Sequence, residues 1–292
     1  MAHTVTKRDR SLALLMMGPS LVVMGVLLVL PLLTLLRYSV NRYSPTQLMI
    51  EAFTLENYAK FFLEPYFRSV MFSTFGLAAI CTVASVALGY PVAYMLARTQ
   101  SRWKSILIIL VLFPLLVGNV VRAAGWTIFL SRDGFLNFVL MSLGLTAEPI
   151  QFMYTNAAVF IGLMSVMMPF VILTLLGVLE GLDFALFDAA QNLGAPPATA
   201  FWRVIFPLSI PGVSAAAVIV FTVAMNSYAT PILLGGPEFR MMAPVVYQQF
   251  ALVMNWPFGA ALAFILIAVT GSAAAISSTM LARQNKLIGN RA

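Results

Sequence analysis

The chain has 292 residues, of which 61% are hydrophobic and 9% charged, with a mean hydropathy of +0.94. Soluble domains carry about 25% charged residues, so this composition excludes them and marks an integral membrane protein. A net charge of +7 could suggest a nucleic-acid binder, but the basic residues are scattered at the ends of apolar runs and form no basic stripe, which excludes that partner.

Taken in chain order, and requiring about 20 apolar residues per spanning helix, the sequence predicts six spans. They cover Leu12–Leu36, Val70–Leu96, Ser105–Leu130, Asn156–Leu179, Pro211–Leu234 and Phe258–Leu281. The fold expected is an all-α polytopic bundle of six transmembrane helices. Residues 1–11 form an N-terminal segment, 12–36 a peripheral first helix, 37–69 an outer loop and 70–282 a core of five helices, with 283–292 as a tail. The first span is too long for a signal-peptide core and lacks a small-x-small cleavage site before Arg37, so it is expected to be retained.

Lys7, Arg8, Arg10, Arg98, Arg102, Lys104, Arg203, Arg283, Lys286 and Arg291 fall on one side of these spans. Arg37, Arg42, Lys60, Arg68, Arg122, Arg132 and Arg240 fall on the other, together with six of the ten acids. Ten bases against seven predict cytoplasmic termini. His3 is the single histidine and Cys81 the single cysteine, which removes intramolecular disulfides, histidine metal clusters and histidine-based triads. No Gly-Lys dipeptide occurs, so a GxxxxGK[ST] phosphate loop is absent too.

Residues 180–209, between the fourth and fifth spans, then lie in the cytoplasm. Asp183 can accept from free amides at the start of a short helix ending near Asn192, and Gly194 can take the left-handed turn that stops it. Pro196 and Pro197 suit the first turn of a second short helix, which Pro207 and Pro211 are expected to separate from the fifth span. The result is a helix–turn–helix hook carrying Phe184, Leu186, Phe187, Phe201 and Trp202, more apolar than a solvated loop needs. Residence in the lipid headgroup zone is the other reading of those aromatics.

Asp188-Ala189-Ala190, then Gly194 after three residues, then Val204-Ile-Phe206-Pro207 after nine more, resembles the EAA loop of the inner-membrane permease subunits of binding-protein-dependent ABC importers. Asp188 stands for the family's glutamate, Val204 for isoleucine and Phe206 for leucine; Ala189, Ala190, Gly194 and Pro207 match. The resemblance covers about Tyr66 to Ala282, and the segments 227–236 and 255–264 look like the spermidine/putrescine-type branch. It implies a type I importer permease fold in the bacterial inner membrane and a non-enzymatic transport role. It also implies a second, related but distinct permease chain, a periplasmic solute-binding protein, and two ATP-hydrolysing subunits that hold the ATP and magnesium. No cofactor is expected on this chain. Asp183, Phe187, Asp188, Ala189, Ala190, Leu193, Gly194, Ala195, Phe201, Val204, Phe206 and Pro207 would form the loop that docks on the ATPase.

Polar residues inside spans are costly, so Asn119, Arg122, Asn226 and Tyr228 are the candidates for the substrate route. Each also has a structural reading: Asn226 bonding a neighbouring helix, Arg122 snorkelling to the interface, Tyr228 in an aromatic belt. In the outer segment 235–257, a turn is followed by a short amphipathic stretch that predicts a surface helix, with Glu238, Tyr247 and Gln248 as candidates for an outer gate or binding-protein contact. Glu51, Glu56 and Glu64 in the first outer loop could face a basic docking surface. Within the family, a polyamine is the expected solute, with an opine, an aminophosphonate, thiamine or ferric ion as alternatives. A gradient-driven transporter would be expected to carry internal repeats and an intramembrane ionisable pair, neither of which is legible. A membrane scaffold is the remaining class.

Overall fold

The computed structural model describes residues 7–289; His3 and Arg291 lie outside them, as do the side chains of Lys7, Arg8, Arg10, Arg283 and Lys286. The described residues fall into two compact units, 7–64 with 246–265 and 65–245 with 266–289.

The first unit opens with α1 (Lys7–Ser39), whose spanning stretch Met17–Ser39 leaves its apolar residues unburied, only Ser39 at its end being buried. Such a helix, apolar on every side and unburied, suits lipid contact all round. A small antiparallel hairpin follows, β1 (Arg42–Ser44) and β2 (Leu48–Ile50), with Arg42 opposite Ile50. These two three-residue strands are the only sheet among the described residues, joined by a tight turn at 45–47 with Leu48 at φ +62°. Helix α2 (Glu56–Leu63) is tied both to the end of α1 and to the hairpin. Asn57 donates to the carbonyls of Ser39 and Asn41, each at 2.8 Å, and Arg42 Nε donates to Glu56 Oε2 at 3.0 Å. Arg42 therefore holds the Glu56 carboxyl below its ordinary value, and the carboxylate raises Arg42. Lys60 lies 4.6 Å from the Phe258 ring and pairs with Glu64 at 3.8 Å.

In the second unit, α3 (Pro65–Arg98), α4 (Lys104–Leu116), α5 (Asn119–Leu130), α6 (Phe135–Ser142) and α7 (Asn156–Glu180) precede the hook. The hook's two helices, α8 (Ala185–Asn192) and α9 (Pro197–Ala200), lead through a π-turn (Phe201–Ile205) into α10 (Phe206–Met225) and α11 (Ala229–Gly235). Helices α12 (Met242–Ala251) and α13 (Trp256–Gly289) contribute residues to both units. Thr155 caps α7, accepting from the Ala158 amide at 3.2 Å. α7 is the most buried span, packed against α3 and α10. A Cβ on Gly212 of α10 would sit 2.8 Å from Val178 of α7, so the absence of a side chain is what lets these backbones approach.

Five described helices are long and apolar enough to span a membrane, and α4 with 119–142 forms a sixth, bent pair. Two of the expected spans are thereby corrected. The third, expected to be continuous over 105–130, is broken at Val117 and Gly118 and turns by 96°. Pro114 lacks the N–H that would reach Leu110, and Gly118 in extended conformation (φ −57°, ψ 145°) starts a new helix. The fifth, expected over 211–234, instead runs Pro197–Met225 and ends before Asn226. Pro207 and Pro211 do not separate hook from span, because the π-turn absorbs the mismatch: the Phe206 amide donates to the Phe201 carbonyl five residues back. The last helix begins at Trp256 and its backbone continues into the expected tail, to Gly289.

Candidate functional site

The hook is built from its caps inward. Asp183 Oδ1 accepts from the Ala185 amide at 2.9 Å and opens α8. At the other end Gly194, with φ +89°, lets its own amide reach the Gln191 carbonyl at 2.8 Å and the Ala195 amide reach the Ala190 carbonyl at 3.1 Å. These two bonds are the Schellman stop, which a side chain at Gly194 would strain. Pro197 then occupies the first turn of α9, where its missing N–H costs nothing.

This geometry splits the hook into a foot and a knob. Phe187 is the foot, 4% exposed, with the Arg98 guanidinium 4.8 Å from its ring and 5.6 Å from that of Phe184. Tyr94 meets Phe184 and Phe201 edge-on at 6.2 and 5.2 Å, and Tyr90 meets Phe201 at 5.7 Å. The Tyr90 and Ser209 hydroxyls are 2.7 Å apart, and Lys104 pairs with Glu180 at 2.7 Å. The hook's aromatics thus lie against the last turns of α3, between rings and one cation. Asp188, Ala189, Leu193 and Gly194 form the knob and face outward, Leu193 at 90% exposure.

The four polar residues expected along the route sit at the two helix breaks. Asn119 and Arg122 occupy the first turn of α5, and Arg122 Nη2 donates to Asn119 Oδ1 at 2.6 Å. Asn226 and Tyr228 bracket the break between α10 and α11, with Asn226 Nδ2 donating to the Thr222 carbonyl at 2.9 Å. α11 packs on α5, which brings the two broken segments side by side.

The family described as "Binding-protein-dependent transport system inner membrane component" matches residues 9–284. The chain belongs to this family. Among similar proteins, the spermidine/putrescine transport system permease protein PotB of Escherichia coli strain K12 is 37% identical over 219 residues, 75% of this chain and 79% of that one. PotB of Haemophilus influenzae is 33% identical over 238 residues, 82% of each chain. A chain of the bacterial alginate ABC transporter, solved in complex with an alginate pentasaccharide-bound periplasmic protein, superposes with a TM-score of 0.77 over 95% of this chain and 96% of its own, at 17% identity, and shows the fold. The protein is a multi-pass inner-membrane transport permease of the ABC type.

The permease distributes its remaining candidates unevenly. Glu238, between α11 and α12, lines a cavity of about 780 Å³ with Tyr66, Ser69, Ser73, Asn156 and Arg240, and Arg240 stacks 4.9 Å from the Tyr66 ring. Tyr247 and Gln248 lie on exposed turns of α12, in the other compact unit from Glu238. Of the three outer-loop glutamates, Glu56 and Glu64 are engaged by Arg42 and Lys60, leaving Glu51 without an ion pair among the described residues. Sequence reasoning missed Arg98, Tyr90 and Tyr94, which hold the hook. Their signal was a helical spacing of four, Tyr90-x₃-Tyr94-x₃-Arg98, that places all three on one face at the end of a span.

Proposed function

We propose that this permease is one membrane subunit of an ATP-driven importer that carries a polyamine, of the spermidine or putrescine kind, into the cytoplasm. The solute arrives on a periplasmic binding protein, the route is completed by a second, related permease chain, and ATP with its magnesium is hydrolysed on two separate subunits. Both termini and the hook lie in the cytoplasm, in line with the basic residues at 98–104 and 203. The observation that carries the reading is the outward knob of Asp188, Ala189, Leu193 and Gly194 on a foot locked to α3, in a chain 37% identical to PotB. Closure of the ATPase dimer pushes the knob; α3 and α10, joined to it through the aromatic cluster and the π-turn, transmit the push to the spans. Asn119, Arg122, Asn226 and Tyr228 line the region where the broken helices meet, and Glu238, Tyr247 and Gln248 face the outer mouth or the binding protein.

The test is ATPase activity of the assembled complex in proteoliposomes, with its binding protein and a solute panel of spermidine, putrescine and non-polyamine controls. Stimulation by the polyamine-loaded protein is expected, and Gly194→Asp abolishes it while co-purification persists. Stimulation that ignores Gly194→Asp sinks the coupling role, and stimulation by a non-polyamine alone sinks the substrate.

A further inference from the structure

Arg122 is left with donors that no described residue satisfies. Its Nη2 reaches Asn119, but Nε and Nη1 are buried and have no acceptor. A guanidinium does not lose its proton in a protein, so these N–H groups need acceptors, and the buried charge is offset best when the acceptor is an anion. The adjoining cavity, about 460 Å³, has walls of Val117, Trp126, Met168, Pro169 and Ile172 that offer none. Ser165, the one hydroxyl there, is already bonded by Trp126 Nε1 at 3.0 Å and donates to the Gly162 carbonyl at 2.7 Å.

Depth decides what can reach it. The cavity meets α7 at Pro169, which at 1.5 Å per residue lies about 20 Å from Asn156 and about 16 Å from Glu180. That is mid-membrane, remote from lipid phosphates on either side. This chain's own carboxylates fall in loops, turns, helix ends or the hook, and the five spanning stretches contain none in their interiors, so a second copy supplies no partner either. The flanking Phe113, Val120 and Val121 are exposed, leaving an apolar face around the cavity.

We propose that Arg122 receives a carboxylate from a spanning helix of the second permease chain, forming a charge pair across the subunit interface at mid-membrane. The inference rests on the reading that this second chain is distinct from the first. A pair also suits a polycationic cargo better than a bare guanidinium, because the neutralised site no longer repels it.

The test uses the complete complex with the second permease. Arg122→Glu is expected to lower solute uptake or co-purification by about 30-fold or more, the scale of breaking a buried charge pair. Reversing one intramembrane Asp or Glu of the second permease to Arg then restores it, and restoration requires a folded chain. A second permease with no acid in its spans overturns the proposal. So does a wild-type phenotype for Arg122→Gln, or a loss that no reversal rescues, including a raised KM for the solute that assigns the guanidinium to the cargo. Failure of the wild-type chain to co-purify with any second permease overturns the importer reading itself, and is visible before Arg122 is touched.

Discussion

Arg98 does more than its place at the end of a span suggests, since its guanidinium lies near the rings of Phe184 and Phe187 and its Nη1 donates to the Tyr94 hydroxyl at 3.3 Å. Removing it in Arg98→Ala withdraws cation–π contacts of about 1 kcal/mol in sum, a factor of about five. Stimulated ATPase activity of the complex should fall about that far with assembly intact; unchanged stimulation would mean the foot does not need its cation. Glu56 gives a pH signature. Its folded value is depressed by the Arg42 hydrogen bond, so the hairpin's tie is present above the ordinary glutamate value and is lost as pH falls through the depressed one. The protection factors of the 42–50 amides, taken against their intrinsic rates at each pH, should therefore fall at acid pH in the wild type and show no such step in Glu56→Gln. The partners of these residues were poorly legible in advance: the spacing of four puts Tyr90, Tyr94 and Arg98 on one face, but which element packs on that face leaves no trace in local pattern. Gly194 and Asp183 were legible, since a cap acts on its own neighbours.

At the scale of elements, hydropathy located α3, α7 and the start of α13 closely but not the two breaks, because a window average barely registers two or three residues. Gly118 after Pro114, and the polar run Asn226–Tyr228, were the available signals. Pro207 and Pro211 misled in the opposite direction: a proline predicts a break only if the chain has no other way to relieve it, and a π-turn is such a way. The α7–α10 contact gives the element-scale prediction. Gly212→Leu forces a side chain into Val178 and should cost about 1–3 kcal/mol, lowering Tm in detergent, whereas Gly177→Leu, where a Cβ meets nothing within 4 Å, should not.

For the whole molecule, the bias of ten bases against seven sets an expected sidedness that labelling reads directly. In a Cys81→Ala background, cysteines at Ser101 and Asp188 should react with an impermeant maleimide only in inverted vesicles, and cysteines at Glu51 and Glu148 only in intact spheroplasts. The reverse labelling would invert the chain and remove the hook from any cytoplasmic ATPase. Within the second unit, the π-turn at Phe201–Ile205 also fixes an angular phase. It amounts to one residue more than an α-helix would use, and one residue is about 100° of rotation. Deleting a single residue there would return the helix to its regular winding and swing everything before it about 100° around the axis of α10, carrying Phe201 off Tyr90 and Tyr94. The hook would stay folded and the span would stay inserted, yet the knob would point elsewhere: the one surplus residue acts as the timing mark that sets one against the other.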